Sequence, residues 1–190
     1  AKRPADNPSD KGPRLIQAGP MIGHVGPHEA KVWIRTKRGS TLKASAVQGS
    51  KARNRYSVGD LGNGFSVIHY SRLAPATDTR VTLTVERAGS ATETESVAFR
   101  TAATPSETGK VRIAFGSCSK VSQFNSGPIY KALADERPDM ALFIGDNSYF
   151  IVGNGSDKHF NTTGSVGDWT SPEAMTARHL ITRMHPDLQA

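Results

Sequence analysis

The strongest constraint on the fold of this chain is a pair of short apolar runs separated by one helical segment. Residues 111–116 and 140–144 are mostly apolar, and a glycine closes each run. Between them, residues 128–136 predict a helix, because Pro128 suits the first helical turn and Arg137-Pro138 ends it. A strand, a crossover helix and a second strand form a βαβ unit. We expect its two strands to be parallel and adjacent.

Three potential metal ligands follow the two predicted strands. Cys118 lies just after the first strand, and Asp146 and Tyr149 lie just after the second. Ligands of open α/β sheets bind beyond the carboxyl ends of the strands, so we expect these side chains to converge. A thiolate, a carboxylate and a phenolate together suit a highly charged, Lewis-acidic cation. Two plainer interpretations stay open: an ordinary Gly-Asp turn, and a cysteine that only fills space.

These residues carry a resemblance to a known family. The run Phe115-Gly116-Ser117-Cys118, followed by residues 136–149, resembles the start of the alkaline phosphatase D (PhoD-like) family of calcineurin-like metallophosphoesterases. The resemblance covers most of residues 14–190. It implies that Cys118 is the thiolate ligand of a ferric ion, Asp146 a bridging carboxylate and Tyr149 a phenolate ligand. It also implies Fe³⁺ and Ca²⁺ as cofactors. Asn147 stands where the family commonly has an aromatic residue.

The function implied by the resemblance is metal-dependent phosphoester hydrolysis, as an alkaline phosphatase or phosphodiesterase that uses a metal-activated water. Two alternatives stay open. One is a phospholipase D-type phosphodiesterase on the same fold, and the other is a non-catalytic β-sandwich binding module with a degenerate partner domain.

The attacking group implied by the resemblance is a metal-bound water. No catalytic residue is identified in this sequence. The later motifs of the family find no counterpart in these 190 residues. We therefore expect the remaining ligands and catalytic residues to lie beyond Ala190, in the remainder of the same enzyme. We also expect the 190-residue chain to be inactive alone.

The chain divides into four segments by composition and pattern. Residues 1–13 are polar and Pro-rich, which predicts a flexible tail. Residues 14–103 contain short alternating strands punctuated by Gly, Asn and Pro, which predicts a β-sandwich with a fibronectin type III or immunoglobulin-like resemblance. Residues 104–110 predict a linker, and residues 111–190 the N-terminal part of an α/β metallophosphoesterase domain, with a sheet flanked by helices. We expect Trp33 to lie in the sandwich core.

Charge and hydropathy limit the partners. The net charge of +7 favours encounters with anions. The basic residues are scattered without interleaved aromatics, so we predict no specific nucleic-acid site and favour small phosphate esters or phospholipid. No apolar run is long enough to cross a membrane. The resemblance implies a periplasmic or secreted protein whose signal peptide has been removed. The histidines, including His24, His28 and His69, show no metal-ligand spacing, and we interpret them as structural or exposed.

Overall fold

The computed structural model describes residues 14–107, 109–118 and 127–146, together with a few helical positions further on, which are Pro172, Met175, Thr176, His179 and Leu180. The predicted tail at residues 1–13 lies outside the described residues. The chain forms two compact units that divide between Gly109 and Lys110. Within the described residues, no helix is long and apolar enough to span a membrane.

In its described residues, the first unit is a sandwich of two antiparallel four-stranded sheets. The strands are β1 (Ile16–Val25), β2 (Glu29–Thr36), β3 (Thr41–Gln48), β4 (Lys51–Ala52), β5 (Tyr56–Gly62), β6 (Phe65–Ser71), β7 (Asp78–Glu86) and β8 (Glu93–Arg100). One sheet has the order β1-β2-β6-β5, and the other has the order β4-β3-β7-β8. This architecture confirms the β-sandwich part of the predicted fold class.

Alternation along the central strands builds the core of the sandwich. In β2, Val32 and Ile34 are fully buried, and Ile68 lies opposite Val32 on β6. In β7, Val81 and Leu83 are fully buried and belong to the same core from the other sheet. Successive side chains of a strand point to opposite faces, so one face of each sheet is apolar and the other is largely polar. Burial of each such side chain stabilises the fold by roughly 1.5–3 kcal/mol.

Trp33 lies outside this core, and the prediction for it was wrong. It belongs to the opposite face of β2 from Val32 and Ile34, where it is only half-buried. Its ring lies 5.8 Å from the ring of Phe65, centroid to centroid. Residues 32–34 are apolar on both faces, so the sequence did not decide which face would turn inward. The partners on β6 decided it, because Ile68 and Tyr70 are the residues that share a face with Val32.

The second unit contains the predicted βαβ arrangement. Its described elements are β9 (Ile113–Gly116), α1 (Gly127–Asp135) and β10 (Met140–Phe143). The two strands pair in parallel, with Met140 opposite Ile113 and Phe143 opposite Gly116. Together the two units confirm the predicted fold class, a β-sandwich followed by the first part of an α/β domain.

Helix α1 packs on β10 through a residue that we did not predict. Ile129 is 68% exposed and Leu133 is only half-buried, so neither is the main contact of the helix. Tyr130 is buried instead, and its ring meets the ring of Phe143 edge-on at 6.4 Å. An aromatic pair of this geometry adds about 0.5–1.5 kcal/mol beyond the area that it buries, which favours the Tyr130 face.

Candidate metal centre

The carboxyl ends of β9 and β10 are tied together by main-chain hydrogen bonds. The amide of Ile144 donates to the carbonyl of Gly116 at 2.9 Å, and the amide of Cys118 donates to the carbonyl of Gly145 at 3.2 Å. These bonds carry the pairing past the last strand residues and into the two turns. The turn that follows β9 and the turn that follows β10 therefore lie side by side.

The other ends of the two strands are also fixed. The carboxylate of Asp139 accepts from the amide of Arg112 at 2.7 Å, and the amide of Asp139 donates to the Arg112 carbonyl at 2.9 Å. The Arg112 guanidinium donates to the carbonyl of Glu136, at the end of α1. These hydrogen bonds fix the relative register of β9 and β10. The register determines which residues meet at the carboxyl ends of the two strands.

The structure brings Cys118 and Asp146 together. The thiol of Cys118 donates to Asp146, with 3.7 Å between Sγ and Oδ2, and the Ser117 hydroxyl lies 3.5 Å from the same sulfur. Metal–sulfur and metal–oxygen bonds are each about 2.0–2.3 Å long, so a thiolate and a carboxylate oxygen within about 4 Å of each other could bind the same cation. The observed distance fits a shared ion without movement of the backbone. Both residues are exposed, so an ion or a substrate has access from solvent.

Both candidate ligands have unusual backbone conformations. Cys118 has φ of +61° and Asp146 has φ of +47°, and Gly145 between the strand and Asp146 has φ of +147°. A left-handed conformation costs most residues about 1–2 kcal/mol, whereas glycine, asparagine and aspartate adopt it more easily, so the cost falls mainly on Cys118. Backbone strain of this kind is concentrated at functional sites, where the surrounding structure holds it in place. Here the Cys118–Gly145 hydrogen bond joins the two strained turns.

The third predicted ligand, Tyr149, lies outside the described residues, and its role stays a prediction. Among the residues that the structure describes, no group of three or more His, Cys, Asp or Glu side chains could hold a metal ion. The described part of the site is therefore one thiol and one carboxylate. Their chemistry and separation fit a cation that takes mixed sulfur and oxygen ligands.

The expected catalytic residues are not tested by this structure. Ala190 itself lies outside the described residues. The remaining ligands and catalytic groups were predicted to lie beyond Ala190. Their position therefore stays a prediction, and the site described here consists of Cys118 and Asp146 alone.

The first unit contains a histidine-carboxylate cluster that we did not predict from the sequence. The carboxylate of Glu29 lies between two imidazoles, with Oε1 at 3.1 Å from Nε2 of His24 and Oε2 at 2.9 Å from Nε2 of His69. The hydrogen bond with His69 is the main reason that the pKa of Glu29 falls below its ordinary value of 4.5; partial desolvation opposes the shift and His24 adds to it. The three residues come from different strands, so no spacing in the sequence indicates the cluster.

Comparisons with known proteins give one family model and several solved structures. Residues 14–103 match a protein family described as a domain of unknown function (DUF7800). No curated protein matches the sequence. A solved structure described as "Structure of PhoD" is similar over 100% of this chain, with a TM-score of 0.67 and 16% identity. A purple acid phosphatase, PPD1 from yellow lupin (Lupinus luteus), is similar over 90% of the chain and 41% of its own length, with a TM-score of 0.45 and 8% identity.

The likeness to PhoD shows a shared fold. It extends through both units of this chain, and the chain spans 38% of the length of the PhoD structure.

Proposed function

We propose that this chain supplies part of the active site of a metal-dependent phosphoester hydrolase, an alkaline phosphatase or phosphodiesterase. The single observation that carries the proposal is the 3.7 Å separation of the Cys118 sulfur and the Asp146 carboxylate at the ends of neighbouring parallel strands. This edge of an α/β sheet is where such folds bind their ligands. The shared fold with PhoD supports the proposal.

Cys118 and Asp146 would hold the cation, and Tyr149 is proposed as a further ligand. When bound, a cation of this kind supplies positive charge to a phosphate ester and activates water. The residues of this chain hold it in place through the two interlocked turns. The assignment of ferric iron beside calcium is part of the proposal and rests on the resemblance alone, as does a periplasmic or secreted location.

We further propose that other polypeptide of the same enzyme, beyond Ala190, completes the sheet and supplies the remaining catalytic residues. Parallel sheets are normally covered on both faces. On β9, however, Ile113 is 51% and Phe115 is 73% exposed, and on β10 Met140 is 50% exposed. A parallel pair with uncovered apolar side chains is unsuited to act alone. The expected substrates are small phosphate esters, with phospholipid head groups as the alternative.

The test is metal binding by the 190-residue chain under anaerobic conditions. We expect Co²⁺ to give a sulfur-to-metal charge-transfer absorption that Cys118→Ser abolishes. Asp146→Asn should weaken the affinity by at least the roughly 10–100-fold that loss of an outer-shell partner costs, because it removes a direct ligand. Glu136→Gln is the matched control, because it removes one carboxylate from an exposed position in the same unit. It should leave the titration unchanged.

Two results would count against the proposal. A charge-transfer band that survives Cys118→Ser would show that the thiol is not a ligand. Equal affinities for the Asp146→Asn and Glu136→Gln variants would show that the carboxylate acts only as a surface charge. Hydrolysis of nitrophenyl phosphate, bis-nitrophenyl phosphate and phosphatidylcholine by the complete enzyme then separates the substrate classes. The 190-residue chain alone should bind the ion without turnover.

A further inference from the structure

The positive charge of the protein is concentrated in the sandwich. Residues 14–109 contain 13 Lys and Arg residues against 7 Asp and Glu residues, whereas residues 110–190 contain 8 of each. The candidate metal centre lies in the balanced part. The basic surplus of the sandwich thus lies outside the unit that contains that centre, and a charged surface of this kind favours an anionic partner.

Two strands of the sandwich have edges that are closed by its own side chains. At the start of β1, the amides of Leu15 and Ile16 donate to the carboxylate of Glu93, at 2.8 and 2.9 Å. On β3, side chains replace a neighbouring strand: Asn54 accepts from the amide of Ala46 at 3.0 Å, and the hydroxyl of Tyr56 accepts from the amide of Ala44 at 3.4 Å. Such closure prevents pairing with other chains.

The outer edge of β5 is different. All seven residues of this strand are exposed, and in the described part of the chain it pairs only with β6. The amide of Ser71 donates to the carbonyl of Arg55, so the pair formed by Arg55 and Ser71 is hydrogen-bonded. Antiparallel pairs alternate, so Ser57 and Gly59 also bond to β6, while Tyr56, Val58 and Asp60 direct their amides and carbonyls outward.

This edge has the features of a site for strand addition. An extended segment that pairs with an open edge gains main-chain hydrogen bonds, and alternate side chains provide specificity. Val58 is 43% exposed beside the outward amides, so it offers an apolar contact to one face of an added strand. Arg55 is exposed at the start of β5, and Lys51 is exposed shortly before it. These charges favour an acidic residue at the matching end of the incoming segment.

Two other occupants fit less well. A second copy would bring two surfaces with the same basic surplus together, and like charges disfavour that pairing. A lipid surface would leave the outward amides and carbonyls of β5 without partners wherever they reached hydrocarbon. An extended acidic peptide satisfies both the charges and the main-chain groups.

We propose that the outer edge of β5 binds an extended acidic segment of a partner protein by strand addition. The probe is a set of blocked ten-residue peptides in which valine alternates with threonine and glutamate. Binding should slow amide hydrogen exchange at Tyr56 and Val58 by about tenfold or more, because these amides become hydrogen-bonded. The same peptides with lysine in place of glutamate should give no protection.

Val58→Pro tests the geometry. The amide of Val58 points outward, so proline removes a donor to the added strand and leaves the β5–β6 bonds in place. This variant should abolish binding, while the amides of Ile68 and Tyr70, which point to β2, keep their protection and report an intact fold. Ser57→Pro is the contrasting variant: it removes an inward donor and should lower the protection of β6 itself. Arg55→Glu should weaken binding about fivefold, and less at high salt.

Four results would overturn the proposal. The first is full binding by Val58→Pro with its fold intact. The second is equal binding of the acidic and the lysine peptides, or no binding of either peptide. The third is a dimer of the chain that Val58→Pro dissociates, which would make a second copy the occupant. The fourth is binding to phosphatidylglycerol vesicles that Arg55→Glu weakens in the absence of any peptide protection.

Discussion

The corner that follows β6, residues 73–77, is held by the buried side chain of Thr101. Replacing that threonine gives a sharp test of the structure. Thr101 is 2% exposed. Its hydroxyl donates to the carbonyl of Ala74 at 2.7 Å and accepts from the amide of Thr77 at 2.9 Å. Gln48 bonds the same corner, with its Oε1 accepting from the amide of Ala74 at 2.8 Å. Thr101→Val keeps the shape of the side chain and removes only the hydroxyl.

The expected cost follows from which groups lose a partner. The carbonyl of Ala74 keeps its hydrogen bond from Nε2 of Gln48, at 3.1 Å. The amide of Thr77 loses the acceptor that Thr101 provides. A fully buried amide left unpaired costs about 1–3 kcal/mol; the Thr77 amide is part-buried, so water and the added methyl group recover part of that cost. We therefore expect Thr101→Val to lower the free energy of unfolding by about 1–2 kcal/mol, near the middle of the usual range for point substitutions.

The assay is amide hydrogen exchange at Leu83, which is fully buried on β7 and reports on opening of the sandwich core. A loss of this size makes exchange about 5–30 times faster. The matched control is Thr82→Val, which removes an exposed hydroxyl that bonds Ser96 at 3.0 Å. An exposed hydroxyl can bond to water instead of to a protein group. The free energy of unfolding of this variant should therefore stay within about 0.5 kcal/mol of that of the parent.

Thr101→Ser completes the test, because it restores the hydroxyl while removing a methyl group. It should recover much of the stability lost in Thr101→Val. If the Leu83 amide exchanges at the same rate in Thr101→Val and Thr82→Val, the buried hydroxyl of Thr101 contributes nothing to stability. The argument from the unpaired Thr77 amide is then wrong.

Two further predictions concern the first unit. Because the folded pKa of Glu29 lies below its ordinary value of 4.5, its carboxylate stabilises the fold above that pH, and the contribution is lost as the pH falls through the folded pKa. The difference in unfolding free energy between the parent and Glu29→Gln should shrink from pH 6 to pH 3, and a constant difference would contradict the role of its histidine partners. Gly64 has φ of +81°, and a Cβ there would clash with the carbonyl oxygen of Thr36, whereas a Cβ at Gly39, with φ of +75°, meets nothing within 4 Å. Thermal unfolding should show a loss of more than about 3 kcal/mol for Gly64→Ala and only about 1 kcal/mol for Gly39→Ala; similar losses would argue against the close approach.

The sandwich could be predicted where alternation was strong and not where polar residues took core-side positions. Strand β2 has Val32 and Ile34 on one face, and its extent follows directly from the pattern. Strand β8 begins with two acidic residues on one face, Glu93 and Glu95, so periodicity does not identify its start. Those carboxylates are used locally: Glu93 accepts from two amides of the β1 region, and Glu95 pairs with Arg14 at 2.8 Å. A tertiary role replaced the apolar signal.

The meeting of Cys118 and Asp146 was predictable because it needs only parallel pairing and two strand ends. Their conformations were not predictable. Glycine is the residue that indicates a left-handed turn in a sequence, and position 118 carries a cysteine instead. The usual signal of a left-handed turn was therefore absent at Cys118.

That mismatch is itself an argument about the site. Glycine at position 118 would fit the left-handed backbone without the cost of about 1–2 kcal/mol that a side chain incurs there. An exposed thiol gains nothing from burial to offset that cost. A cysteine held in an unfavourable conformation, with its sulfur 3.7 Å from the carboxylate of Asp146, is explained if the sulfur and the carboxylate have a common partner. An ordinary turn, the plainer alternative for this segment, explains neither the thiol nor its position beside the carboxylate.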